Sequence, residues 1–173
     1  MNKKTTYAIV AVVIVIVIVG VAAYALLYNN GGGTNTTPTP TPSPSVSTSS
    51  TLQFNSNLTT QGSTLEHKWA GKNIHTGNLI VRVDILGGES GNYSYILDTG
   101  QNKSWVSVNG GSWTASDFAA DWSGLGAEWT DYLNHMANWS SGDITYQTQT
   151  GETVLLYNIV VNPTISDSTF ETT

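Results

Sequence analysis

The sequence predicts an α+β domain carried on one N-terminal transmembrane helix. The domain is expected to be a curved antiparallel sheet of about seven strands, with a helical segment inserted before the last two. Three observations lead there. Residues 8–27 hold no charged side chain, apolar residues alternate at period two from Leu52 onward, and between Phe118 and Met136 the period switches to that of a helix.

The apolar run, AIVAVVIVIVIVGVAAYALL, is twenty residues long. At 1.5 Å rise per residue it spans about 30 Å, the thickness of a hydrocarbon core. Tyr7, Tyr24 and Tyr28 lie near its ends, where aromatic rings favour the interface. Lys3 and Lys4 precede it, and the next base is Lys68. The positive-inside rule then makes residues 1–6 a cytoplasmic tail, 7–28 the membrane span, and the remainder extracellular. The protein is therefore expected in the cell membrane as a single-pass chain. Two alternatives stay open. Ala23-Tyr24-Ala25 matches a signal-peptidase site, and a pilin-type leader would be cut near the lysine pair. The length of the run, beyond the usual signal-peptide core, favours the uncleaved anchor.

Residues 29–50, NNGGGTNTTPTPTPSPSVSTSS, hold one Val among Gly, Asn, Thr, Pro and Ser. Such a composition buries too little apolar surface to offset its ordering entropy, so a disordered stalk is expected. Its alternating prolines favour extended polyproline II, and its Thr/Ser density suits O-glycosylation. Anchor and stalk together resemble those of archaeal cell-surface proteins. N-x-S/T sequons begin at Asn35, Asn57, Asn92, Asn102 and Asn138. The Asn, Ser and Thr content yields about as many by chance, so the count permits N-glycosylation without arguing for it.

Residues 51–173 form the expected folded domain. It carries twelve acids against four bases, a formal charge of −8. That balance disfavours nucleic acid, which needs a basic patch. With no cysteine, the chain has no disulfide framework, thiolate nucleophile or Cys-based metal site.

The strands follow in order. Leu52, Phe54 and Leu58 mark the first, and Leu65–Lys72 the second. In the third, 78–86, Leu79, Val81, Val83 and Ile85 alternate with Ile80, Arg82, Asp84 and Leu86. Tyr93–Leu97 and Ser104–Val108 follow, separated by Gly/Asn turns, as in an antiparallel meander. Phe118, Trp122, Leu125, Trp129, Leu133 and Met136 then make a helical stripe. Thr114 or Ser116 is the expected cap, with Asp117 in the first turn. Ser123-Gly124-Leu125-Gly126 weakens the middle, and Gly142 is the expected stop. Asp143–Thr148 and Glu152–Val161 close the sheet, and the helix is expected to cover its apolar face.

Little in the domain advertises chemistry. Glu128, Asp131 and His135 share one helical face but read as a solvated polar surface opposite the tryptophans. Asp98-Thr99-Gly100 matches an aspartic-protease triplet, yet it enters a turn, where these residues are ordinary. No catalytic residue, metal site or cofactor is expected, and the chain is not expected to be an enzyme. The unusual feature is aromatic load: six tryptophans, all after residue 65. Trp69, Tyr93, Tyr95, Trp105, Trp122 and Trp129 are the candidate ligand-binding residues. The plain reading is core and core edge, above all for Trp122 and Trp129; otherwise the rings would line an apolar cavity or, where exposed, stack on sugars.

Two segments carry a resemblance. YILDTGQNKSWVSVNGGSW, 95–113, is a strand pair ending in Asn-Gly-Gly-x-Trp before a helix. VVNPTISDSTFE, 160–171, is a last strand followed by Asn-Pro and Asp-Ser-x-Phe. These resemble the LolA-type lipoprotein carriers and the LppX-like lipid-binding lipoproteins, over about the last 80 residues. The resemblance implies a half-barrel closed by helices around an acyl-chain cavity. The peptide anchor and the missing N-terminal helix depart from those families. The expected function is thus non-catalytic binding of a lipid or other apolar ligand. The alternative is a structural or adhesive domain contacting envelope glycans or proteins.

Overall fold

The computed structural model describes residues 45–88 and 90–172, all within the unit Pro42–Thr173. The expected cytoplasmic tail, membrane span and most of the stalk lie outside the described residues. Among the described residues, no helix is long and apolar enough to cross a membrane.

The chain forms an α+β fold with one open antiparallel sheet of eight strands in the order β6-β5-β4-β3-β2-β1-β8-β7. These are β1 (Thr51–Thr60), β2 (Ser63–Lys72), β3 (Ile80–Gly88), β4 (Gly91–Asp98), β5 (Lys103–Val108), β6 (Thr114–Ser116), β7 (Ile144–Gln147) and β8 (Thr153–Val161). Six consecutive strands form a meander. The last hairpin then returns to pair β8 with β1, which makes β1 central. The eighth strand is β6, absent from the sequence expectation. Thr-Ala-Ser is too short to show an alternation, and it is held by its pairing with Ser104–Val106.

Between β6 and β7 runs a single helical segment: α1 (Phe118–Asp121), a π turn (Trp122–Gly126) and α2 (Ala127–Met136). The π turn falls on the glycine-weakened stretch, where one extra residue per turn is accommodated. Gly126 admits the Trp122 ring, because a Cβ there would meet the indole at 2.4 Å. The cap is neither Thr114 nor Ser116. Both belong to β6, and the Asp117 carboxylate accepts from the N–H groups of Ala119 and Ala120. The helix stops at Met136 instead of reaching Gly142, and a turn at 137–138 leads away.

The boundary of the domain also moves. Val46, the one apolar residue of the stalk composition, is buried, and its carbonyl lies 2.8 Å from His75 Nε2. Residues 45–50 therefore belong to the fold. Beside the buried valine, the Ser50 N–H donates to Asn162 Oδ1 and the Ile74 N–H donates to the Ser50 carbonyl, which dock the segment.

The core lies between the helix and one sheet face. Leu52 and Phe54 of β1, Trp69 of β2, Val81 and Val83 of β3, Leu97 of β4, and Val154 and Leu156 of β8 meet Trp129, Tyr132 and Met136. The opposite face is the polar half of the same alternation, as an antiparallel sheet allows.

Candidate functional site

The helix-covered face is filled at its centre by aromatic rings. Phe54 lies 5.6 Å from Trp129 and 6.0 Å from Trp69, centroid to centroid, and Tyr132 meets Phe54 and Trp69 edge-on. Such tilted and edge-on pairs add to burial. Gly71 makes room for the Trp129 ring, which a Cβ would approach to 2.6 Å. The Trp69 indole donates to Ser56 Oγ at 3.0 Å.

Beyond this plug, an open groove of about 570 Å³ runs between α2 and the β7–β8 hairpin. Its rim carries Glu128, Asp131, Tyr132, His135, Tyr146 and Glu152. Of the face expected to be solvated, the side chains of Asp131 and His135 are exposed, whereas Glu128 is half-buried and turned toward the sheet. Glu128 Oε2 lies 3.2 Å from Nδ1 of buried His67 and accepts from the Tyr132 hydroxyl. The Tyr146 hydroxyl donates to Asp131, and the His135 ring stacks on Tyr146. Glu152 accepts from the hydroxyls of Thr60, Thr148 and Thr150. Burial, reinforced by the adjoining carboxylates, holds the Tyr132 and Tyr146 hydroxyls protonated well above the ordinary tyrosine range. Each acid here is occupied by a neighbour. Among the described residues, no three metal-ligating side chains form a group.

The second groove lies on the other face. Its centre is Arg82, the only arginine in the chain. Strand register sets Arg82 beside Ile96, Ile96 beside Trp105, and Trp105 beside Ala115. Ile96 is fully buried in that row. Arg82 Nε donates to Asp84 at 3.0 Å, Nη1 donates to the Thr169 carbonyl at 3.1 Å, and the guanidinium carbon lies 5.6 Å from the Trp113 ring. An Asn-Gly turn turns the chain back from β5 toward Trp113. Asn109 and Gly110 both adopt left-handed φ, 53° and 70°, and Ser107 Oγ donates to the Gly111 carbonyl.

The other wall is the C-terminal segment, which lies as a strap along the outer face. Thr51 Oγ1 donates to the Pro163 carbonyl, and a short 3₁₀ turn, Asp167–Phe170, packs on β3. Lys72 bridges to Asp167 and lies over the Phe170 ring. The ammonium holds the Asp167 carboxyl below the usual range. Between strap and sheet is a groove of about 700 Å³ lined by Arg82, Ser94, Ser107, Ser112, Trp113 and Glu171. A third groove, of about 420 Å³, shares Arg82 and adds Gln53, Asn55, Lys68 and Asn158.

The six predicted binding residues divide accordingly. Trp69 and Trp129 are core. Trp122 packs flat on Phe118 at 5.9 Å. Tyr93 and Tyr95 stack on each other at 6.4 Å on the helix-facing side, and Tyr95 rims a shallow hollow of about 240 Å³ with Ile85 and Asp121. Trp105 alone faces outward. The structure thus gathers five of the six on one face without enclosing a cavity among them. Asp98 serves its turn, accepting from the backbone and side-chain N–H groups of Gln101. Neither Arg82 nor Glu171 was expected at a site, and Trp113 figured only in the tryptophan count and within the Asn-Gly-Gly-x-Trp motif. The available signal was a lone arginine on the polar side of an alternating strand. Comparison with family models, with curated proteins and with solved structures finds no match in any of the three.

Proposed function

We propose that this domain is a non-catalytic binding module, displayed outside the membrane by an N-terminal anchor, whose ligand is a polar envelope glycan held at the Arg82–Trp113 groove. One observation carries this reading. The groove of about 700 Å³ pairs an indole with a guanidinium, a carboxylate and three serines, and it is open along a sheet face. Sugars present apolar C–H faces and hydroxyl edges. An indole matches the first, and Arg82, Glu171 and Ser94, Ser107 and Ser112 match the second. A module with such a site serves adhesion or attachment to the cell envelope.

The rival reading is an acyl-chain carrier of half-barrel type. It needs a connected apolar cavity of several hundred cubic ångströms between helix and sheet. Phe54, Trp69, Trp129 and Tyr132 occupy that place, five of their pairs at centroid distances of 5.6–6.0 Å. This packing favours the glycan reading.

The full-length protein purified in a mild detergent separates the two. Incubated with soluble polysaccharide released from the envelope of its own cells, it should be retained on that polysaccharide. Native mass spectrometry should then show no stoichiometric lipid remaining after detergent removal. A tightly held lipid, together with no retention on polysaccharide, would replace this reading with the carrier.

A further inference from the structure

Four of the five sequons fall within the described residues, and the fold treats them differently. Asn57 lies in β1, paired on both sides, with its side-chain oxygen facing the Tyr157 hydroxyl. Its partner hydroxyl, Thr59, is bonded to Thr64. Asn92 lies in β4, where its side chain accepts from the Gly87 N–H and its backbone donates to Asn109. Asn102 is exposed in a turn, but it is there as a left-handed turn residue, φ 51°. Its partner Ser104 is buried and donates to Asp121 at 2.6 Å.

Asn138-Trp139-Ser140 is different. It follows the helix in an irregular segment. Asn138 and Ser140 are both exposed, and among the described residues neither side chain makes a hydrogen bond. Between them, Trp139 turns inward, packing against the core with its indole donating to the Gly142 carbonyl at 2.7 Å. The anchored indole leaves the asparagine and the hydroxyl two residues later free on the outside. That is the pair a glycan transferase must engage together. Asn138 has no left-handed φ and no capping bond to account for an asparagine there.

We infer that Asn138 is a site of N-glycosylation on the folded domain. The donor class is a glycan linked through phosphate to a polyprenyl lipid. Asn138 Nδ2 forms a bond to the anomeric carbon, the bond from that carbon to the phosphate oxygen breaks, the amide loses one proton, and the lipid phosphate leaves with the electron pair. This inference rests on the outward placement of the domain proposed above, because such donors act outside the cytoplasm.

The test uses full-length protein isolated from its own cells. Cleavage after glutamate releases 129–152, which contains Asn138 as its only sequon, while 90–128 carries Asn92 and Asn102. The expected result is a glycan mass on 129–152, none on 90–128, and loss of that mass in Asn138→Gln with the thermal midpoint unchanged. Ser140→Ala should remove the same mass while keeping Asn138. Proteolysis of intact cells runs beside it. If the domain is digested from outside and 129–152 is bare, the Asn138 assignment fails alone. If the domain is protected, the outward placement fails and the assignment with it.

Discussion

The two faces of this sheet come from the same alternating strands and have opposite characters. On one, β1, β2 and α2 interlock four aromatic rings around a glycine, and little solvent reaches them. On the other, a strap of irregular chain crosses β3 and leaves grooves lined by Arg82, by the register pair Ser94 and Ser107, and by Trp113. The comparison teaches that tryptophan content by itself does not locate a binding site. Trp69 and Trp129 sit where their removal would disturb packing, and Trp113 sits where its removal would alter a surface. Stability and recognition should therefore respond to different substitutions.

The largest expected effect is on the packed face. Trp129→Ala removes a ring that touches Phe54 and Trp69, both of them buried. It should lower unfolding free energy by about 3–5 kcal/mol, read from denaturant midpoints. A result under about 1 kcal/mol would mean that the centre is loosely filled and could admit a ligand. Gly71→Ala is next. Its Cβ would meet the Trp129 ring at 2.6 Å, so overpacking should cost about 1–3 kcal/mol. Combined with Trp129→Phe, most of that loss should return, since the colliding atoms belong to the larger ring.

A smaller effect concerns pH. The folded state raises the proton affinity of Tyr132 and Tyr146 above the ordinary value of 10.0. Their contribution to stability is therefore fully present below pH 10 and is lost as pH rises from there toward the folded-state values. Alkaline unfolding curves should steepen above pH 10, and Tyr146→Phe should flatten part of that slope. At the other extreme, the Lys72–Asp167 tie holds the strap with a carboxyl shifted downward. Its contribution is present above the ordinary aspartate range and is lost as pH falls through the folded value, so Asp167→Asn should blunt any change confined to acid. Smallest of all, Trp113→Ala should change stability by about 1 kcal/mol or less. The half-buried ring is held chiefly by a partly exposed cation–π contact.

Much of the fold was legible because period two and period 3.6 are strong signals. Val81 and Val83 against Arg82 and Asp84 show the faces of β3 directly, and the Phe118-to-Met136 stripe marks the helix. What stayed hidden has physical reasons. β6 is three residues long, and only its partner strand makes it a strand. Asp117 takes the cap because Thr114 and Ser116 are already paired. Val46 joins the core although its neighbours have the composition of a flexible stalk. The candidate site was the least legible part. Its floor joins Arg82 to Ser94 and Ser107 only through strand register, and its wall is the aperiodic segment 163–172. Tyr93 and Tyr95 showed their alternation, but nothing in sequence said that the helix would fill the centre of their face.

The most direct measurement is a titration of the full-length protein with soluble envelope polysaccharide from its own cells, followed by intrinsic tryptophan fluorescence, for wild type and Trp113→Ala. A saturable change in the wild type is predicted, weakened about tenfold or more in the variant, which corresponds to about 1.4 kcal/mol, at an unchanged thermal midpoint. Equal binding by both proteins, or no binding by the wild type beside saturable uptake of an apolar probe, would contradict the account.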